Sequence, residues 1–237
     1  MPLPDYLVIF GRSFLFALAT LLPILNPPAV APIFWTMTEG ASAATRLALA
    51  KRVAMHVGFM LAAAMLAGNV LLAFFGLSLA IVRVGGGMLV IASAWQLVNS
   101  PDGGSARVAR SAEPFSPEMA RDRAFYPITF PITCGPGSIA AAITVGASLR
   151  DPDHLTSLVR LAGSLPGVIV TALILYVCLR FAAQFLYRLG ESGTSVFMRL
   201  SAFILLCLGV QIMWEGLQEL LTHLLVQVHH ATAAAPG

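Results

Sequence analysis

The sequence predicts an all-α membrane protein, with six transmembrane helices arranged as two inverted three-helix repeats and helices 1 and 4 discontinuous. Three observations lead there: the composition, six long apolar runs, and a proline-bearing motif that recurs in the two halves. Hydrophobic residues make up 58% of the 237 residues and charged residues 11%, against roughly 45–50% and about 25% in soluble globular domains. Eleven Asp+Glu and 14 Lys+Arg are too few to coat a water-soluble surface of this size. The net charge of +3 comes from basic residues clustered between apolar runs, with no nucleic-acid-binding face. A disordered chain and a disulfide scaffold fit equally poorly. The three cysteines, Cys134, Cys178 and Cys207, lie in apolar stretches without metal-ligand spacing and read as small buried residues. No metal or other cofactor is expected.

A hydrocarbon core of roughly 30 Å takes about 20 apolar helical residues. The first such run extends from Tyr6 to about Met37 and, lacking a basic leader and a cleavage site, is expected to remain as a helix. The second runs from about Val53 to Phe75 and the third from about Leu77 to Val98, with little more than Gly76 between them, which predicts a tight helical hairpin. Asn99 to Arg123 holds four Arg, four acids and three Pro and reads as a central loop. The fourth, fifth and sixth spans cover about Ala124–Leu149, Leu158–Phe181 and Val196–Leu217. The chain therefore divides into one repeat of about residues 6–98, a loop at 99–123, a second repeat of about 124–225, and a tail at 226–237 expected to be disordered, all one polytopic domain. Ten of the basic residues fall on the side reached after odd-numbered helices and four, Arg12, Arg83, Arg150 and Arg160, on the other. The positive-inside rule makes the side with ten cytoplasmic, so both termini face outward.

The first span contains Pro23-Ile24-Leu25-Asn26-Pro27-Pro28-Ala29 and the fourth Pro131-Ile132-Thr133-Cys134-Gly135-Pro136-Gly137-Ser138, at offsets of 108 and 109. Val82-Arg83-Val84 and Met198-Arg199-Leu200 correspond at an offset of 116, and Trp95 and Trp214 follow near the ends of the same two helices. Three helices per unit is an odd number, so the second unit enters the membrane the opposite way round, as in many secondary transporters. Proline inside a helix removes one backbone bond and costs ~3 kcal/mol or more. Two of them around Asn or Gly free several polar groups, which in lipid survive only buried in protein or lining a polar cavity. Simple proline kinks patched by neighbouring side chains are the competing reading.

Each break also opens a short helix, one at Asn26 with Pro27 as first helical residue, the other at Gly137 or Ser138. The two ends differ in chemistry. Pro27 and Pro28 have no N–H, which leaves carbonyls around Pro23 to Leu25. The second break offers the N–H groups of Gly135, Gly137, Ser138 and Ile139 and the hydroxyls of Thr133 and Ser138. A zwitterion suits this pair, its carboxylate at the Gly-Pro-Gly-Ser end and its ammonium at the carbonyls and the Asn26 amide oxygen. No Asp or Glu lies in the middle of a span, and the glycines and alanines around the second break favour a small solute.

At these residues the chain resembles the MarC family of bacterial and archaeal membrane proteins. Asn26-Pro-Pro-Ala-Val-Ala-Pro-Ile-Phe is similar to that family's Asn-Pro segment, and Phe125-Tyr-Pro-Ile-Thr-Phe-Pro-Ile-Thr-Cys-Gly-Pro-Gly-Ser-Ile to its more specific second motif. The resemblance covers about Leu7 to Leu220. It implies six helices in two inverted units, a relation to the LysE superfamily, and transport of small neutral amino acids such as glycine and alanine across the inner membrane. Carried over by position, Asn26, Pro27, Thr133, Gly135, Pro136, Gly137 and Ser138 become the substrate contacts. Pro28-Ala29 and Cys134 depart from the common pattern, which bears on selectivity rather than architecture.

The expected partners are thus a small zwitterionic amino acid, the lipid bilayer and a coupling proton or sodium ion, with no nucleic acid; the oligomeric state is unknown. A channel or passive facilitator is the first alternative to a transporter. A membrane hydrolase would use Ser138 with His56 or His223, and a scaffold would need no polar site. His56, Glu39 and Glu215 are the titratable candidates for coupling, each with a solvated or interfacial role as its blander reading. Arg83 and Arg199 read as snorkelling residues and Trp95 and Trp214 as interfacial anchors.

Overall fold

The computed structural model describes residues 3–38, 40–99 and 124–233; the central loop from residue 100 and Glu39 lie outside the described residues. Every regular element among them is helical. α1 (Leu3–Leu25) and α2 (Pro27–Met37) flank Asn26, α3 (Ala43–Phe74) and α4 (Leu79–Val98) follow, and α5 (Pro136–Ser148), α6 (His154–Arg180) and α7 (Ala182–Ala233) complete the order. Between α4 and α5 lies an irregular, wide-turned segment, Ala124–Thr133, with extended residues at Tyr126 and Phe130. By length and composition five helices can cross a membrane, or six if Ala124–Thr133 and α5, which meet at a 71° bend, form one span.

Local signals explain the boundaries. Ser42 and Ser78 cap α3 and α4 by accepting hydrogen bonds from the amides of Thr45 and Ile81, at 3.1 Å and 3.3 Å. The cap at Ser42 starts α3 ten residues before Val53, where the apolar run begins. That first stretch includes Lys51 and Arg52, so a hydropathy window misses it. Asp153 caps α6, with its carboxylate accepting from the amide of Thr156 at 3.0 Å and the hydroxyl of Thr156 at 2.6 Å. Gly76, at φ +66°, makes the turn between α3 and α4, a backbone state open to glycine. Gly190, at φ +65°, interrupts α7, so that the element is two helices meeting at a break. α7 then continues to Ala233, so its backbone is helical beyond Val226, where the sequence suggests a disordered tail. α2 ends where the Arg46 guanidinium donates twice to the Thr38 carbonyl, at 3.0 and 3.1 Å, and stacks 3.8 Å from the Trp35 ring centre.

The core lies among α1, α3, α5 and α6, filled by Leu21, Leu49, Val57, Leu61, Val145 and Leu175. Apolar side chains cover the outside as well: Phe59 is 76% exposed and Phe74 82%. That surface suits lipid rather than water. Glycines set the closest helix approaches. Gly146 packs on the carbonyl of Met65, Gly163 on that of Phe10, Gly86 on Ala140, and Gly87 on the backbone of α7 at Gly209 and Met213.

Three expectations need correction. The run from Tyr6 to Met37 is not one span broken half-way, since Asp5–Leu25 is by itself 21 residues long and apolar enough to cross. The break at Asn26 therefore follows a full-length helix. Cys134 is buried and Cys178 partly buried, but Cys207 is exposed on the outer face of α7. Arg83 and Arg199 are not alike: Arg83 is ion-paired to Glu219 at 2.7 Å, whereas Arg199 is exposed.

Candidate functional site

The end of α1 leaves acceptors open for a reason visible in its sequence. Asn26 sits in the left-handed region at φ 47°, ψ 58°, a conformation Asn tolerates better than most residues. The amides that would bond the carbonyls of Pro23 and Ile24 are missing, because Pro27 and Pro28 have none. The Ala29 amide, due to the carbonyl of Leu25, turns instead to that of Asn26 at 3.0 Å. The Asn26 side chain does not cap α2; its Nδ2 donates across to the Ser201 carbonyl of α7 at 3.4 Å.

The second break has the opposite polarity. Prolines at 127 and 131 interrupt the ladder, and buried threonine hydroxyls satisfy carbonyls of the distorted segment: Thr129 donates to the Ala124 carbonyl and Thr133 to the Ile128 carbonyl, both at 2.7 Å. Gly135, extended at φ −82°, ψ 179°, precedes α5, and Pro136 is its first residue. The helix thus opens at Pro136, ahead of the Gly137 or Ser138 start read from sequence. It has no side-chain cap. The Ile139 amide bonds the Gly135 carbonyl at 3.2 Å, while those of Gly137 and Ser138 meet no backbone acceptor among the described residues. The Ser138 side chain is 6% exposed and forms no hydrogen bond to the described residues. The Thr133 hydroxyl proton is committed to Ile128, so that side chain offers lone pairs rather than a donor.

A cavity of about 410 Å³ joins the two ends, within the roughly 300–1,000 Å³ of small-molecule sites. Asn26, Thr133, Gly135, Pro136, Gly137 and Ser138 all line it. Pro27 does not; it faces a second cavity of about 250 Å³ with Ser201 and Ile204. Gly137 lies directly against the Val90 side chain, so the start of α5 is level with the middle of α4. The sequence reading missed the wall that α4 supplies through Val90, Ser93 and Gln96. Ser93 and Gln96, spaced i, i+3 in an apolar helix, are the signal that could have identified it.

The other titratable candidates lie elsewhere. Among the described residues, no Asp, Glu, His, Lys or Arg lines the cavity. His56 is half-buried, packs edge-on to Phe125 with ring centres 5.8 Å apart, and has a buried Nδ1 with no hydrogen-bond partner among the described residues. His223 lines a surface groove beside Arg83 and Glu219. Neither His56 nor His223 lines the cavity beside Ser138, so the structure does not bring together the Ser138–His56 or Ser138–His223 pair that a serine nucleophile and its base would form.

A family model described as "MarC family integral membrane protein" matches residues 11–221. The chain belongs to the MarC family. Its MarC relatives include the UPF0056 membrane protein YvbG of Bacillus subtilis, 28% identical over 199 residues that cover 84% of this chain and 91% of the relative. The UPF0056 inner membrane protein MarC of Salmonella typhimurium is 26% identical over 211 residues, covering 86% of this chain and 93% of the relative. The same protein of Escherichia coli O1:K1 matches at the same identity and coverage. These MarC descriptions name membrane proteins and no enzymatic activity. No solved structure matches this chain.

Proposed function

We propose that this MarC protein is a secondary transporter of small neutral amino acids, of the glycine and alanine class, in the inner membrane. The observation that carries the reading is one cavity with opposite backbone polarity at its two ends. Free amides of Gly137 and Ser138 stand at one end, and Asn26 with Ile24 and Leu25, whose carbonyls lack their helical partners, at the other. Amides at a helix start attract a carboxylate, and open carbonyls attract an ammonium. Helices interrupted inside the bilayer are a common way to build such a site in lipid, and the 71° bend between Ala124–Thr133 and α5 supports this reading. Relatives named as inner membrane proteins support the location. The inverted arrangement of residues 6–98 and 124–225, with both termini outside the cytoplasm, completes the reading.

The cavity extends along α4 from Val90 toward Leu97, the end that the distribution of basic residues makes cytoplasmic. The described lining residues carry no titratable side chain, which favours sodium coupling or facilitated diffusion over proton coupling at those residues. Purified full-length protein in liposomes tests this with labelled glycine and alanine. Accumulation against a concentration gradient, driven by sodium, indicates a coupled transporter, while equilibration alone indicates a facilitator. Gly137→Leu drives a side chain into Val90 and the solute position, and should abolish flux. Wild-type flux in a folded Gly137→Leu protein would remove the proposed site.

A further inference from the structure

The outer face of α7 carries polar groups where a lipid-facing helix has no use for them. Gln211 and Glu215 are both exposed, and the Gln211 amide donates to the Glu215 carboxylate at 3.0 Å, one turn away on the same helix. Their depth follows from the packing of α4 on α7. Gly87 faces Gly209 and Met213, Gly209 faces Ile91, and Gly216 packs on Ala80 and Val84, so the two helices run antiparallel in fixed register. α4 has 20 residues, a length of about 30 Å that matches the hydrocarbon thickness. In that register Gln211 is level with the middle of α4. Glu215 is level with residue 83, roughly 8 Å from the middle and inside a half-thickness of about 15 Å.

Acyl chains offer neither donors nor acceptors, and ionisable side chains at such depth almost always face protein or water. We propose that this face of α7 is the contact surface for a second copy of the same chain. The composition of the surface favours a copy over an unrelated protein, because it is self-complementary. Gln211 supplies both a donor and an acceptor. Glu215 shares a groove with Arg83, Glu219 and His223, so cationic and anionic groups lie side by side. A two-fold axis along the membrane normal lays each strip against its own equivalent, the commonest form of homo-oligomer. Gln211 then meets its own equivalent, amide N–H to amide oxygen, and the Arg83 guanidinium lies at the depth of the second copy's Glu215 carboxylate. Phe203, Val210 and Trp214, exposed along the same stripe, supply the apolar packing around the polar line. This inference does not depend on transport.

Cys207, exposed one turn before Gln211, gives a native probe of the face, and Cys178, partly buried on α6, a native control. The full-length chain in its membranes is treated with bismaleimides of increasing length and run on a denaturing gel. A species of twice 25.1 kDa is expected, lost in Cys207→Ser and kept in Cys178→Ser. In lipid nanodiscs, Glu215→Leu should lower the dimer association constant roughly 3- to 20-fold, the scale of an interhelical hydrogen bond in lipid. A linked species that survives Cys207→Ser, failure to link at every reagent length, or an unchanged association constant in Glu215→Leu would each overturn the proposal.

Discussion

Replacing Asn26 in two ways separates what its backbone does from what its amide does. At φ 47° and ψ 58° the residue is left-handed, a state that costs a residue with a Cβ roughly 1–2 kcal/mol and glycine almost nothing. Its side chain adds one long hydrogen bond, 3.4 Å to the Ser201 carbonyl, at the weak end of the roughly 0.5–1.5 kcal/mol range. Asn26→Ala loses the bond and the tolerance for the left-handed state together, and should destabilise the fold by about 1–2 kcal/mol. Asn26→Gly loses the bond but relieves the backbone, so its cost should stay below about 1 kcal/mol. Reversible unfolding in mixed micelles measures both. If the amide oxygen holds the solute ammonium, the two variants should lose labelled alanine binding to the same extent despite their different stabilities. Equal stabilities would refute the backbone argument, and full binding in Asn26→Gly would refute the role of the amide.

Further outcomes follow from the same geometry. Ser138→Ala should keep the stability of the wild type, because the hydroxyl bonds nothing among the described residues, and should weaken alanine binding by roughly tenfold, the scale of a hydrogen bond to a charged group; isothermal titration checks it. Gly87→Ala should destabilise by about 1–3 kcal/mol through overpacking, since its Cβ would meet the α7 backbone. Gly85→Ala, with open space around it, should stabilise by up to about 1 kcal/mol through helix propensity, and unfolding midpoints of the pair decide. Hydrogen bonds from the Thr156 hydroxyl and the amides of Thr156 and Leu155 hold the Asp153 carboxyl below its usual range. The stabilising effect of that cap is therefore complete above the ordinary carboxylate pKa and is lost as pH falls through the lowered one. Amide exchange at Leu155 and Thr156 should accelerate in that acid window in the wild type, and Asp153→Asn should flatten the dependence.

Several features were legible because single residues dictate them. The two prolines after Asn26 fix the missing amides and Gly76 fixes the hairpin, whereas the Gly135-Pro136-Gly137 run marked the break but placed the helix start too late. Others were hidden because they depend on packing. Hydropathy could not reveal that α1 is complete by Leu25, since the apolar composition continues unchanged into α2. It also could not find the early start of α3, because Lys51 and Arg52 interrupt the apolar run although the Ser42 cap commits the backbone to helix. The contribution of α4 to the cavity wall is a question of which face turns inward. That is fixed by the contacts of Gly86 and Gly87 with α5 and α7, and the Ser93 and Gln96 pair is its one trace in the sequence.

Among the described residues, the hollow beside Asn26 and Ser138 takes its polarity from main-chain atoms and uncharged side chains rather than from ionised ones. A field built that way does not titrate, so acidity in the surrounding medium leaves it untouched. Point replacements among Val90, Ser93 and Leu97 can widen or narrow the space. They leave unchanged which pole of an entering dipole is drawn to α5 and which to the end of α1.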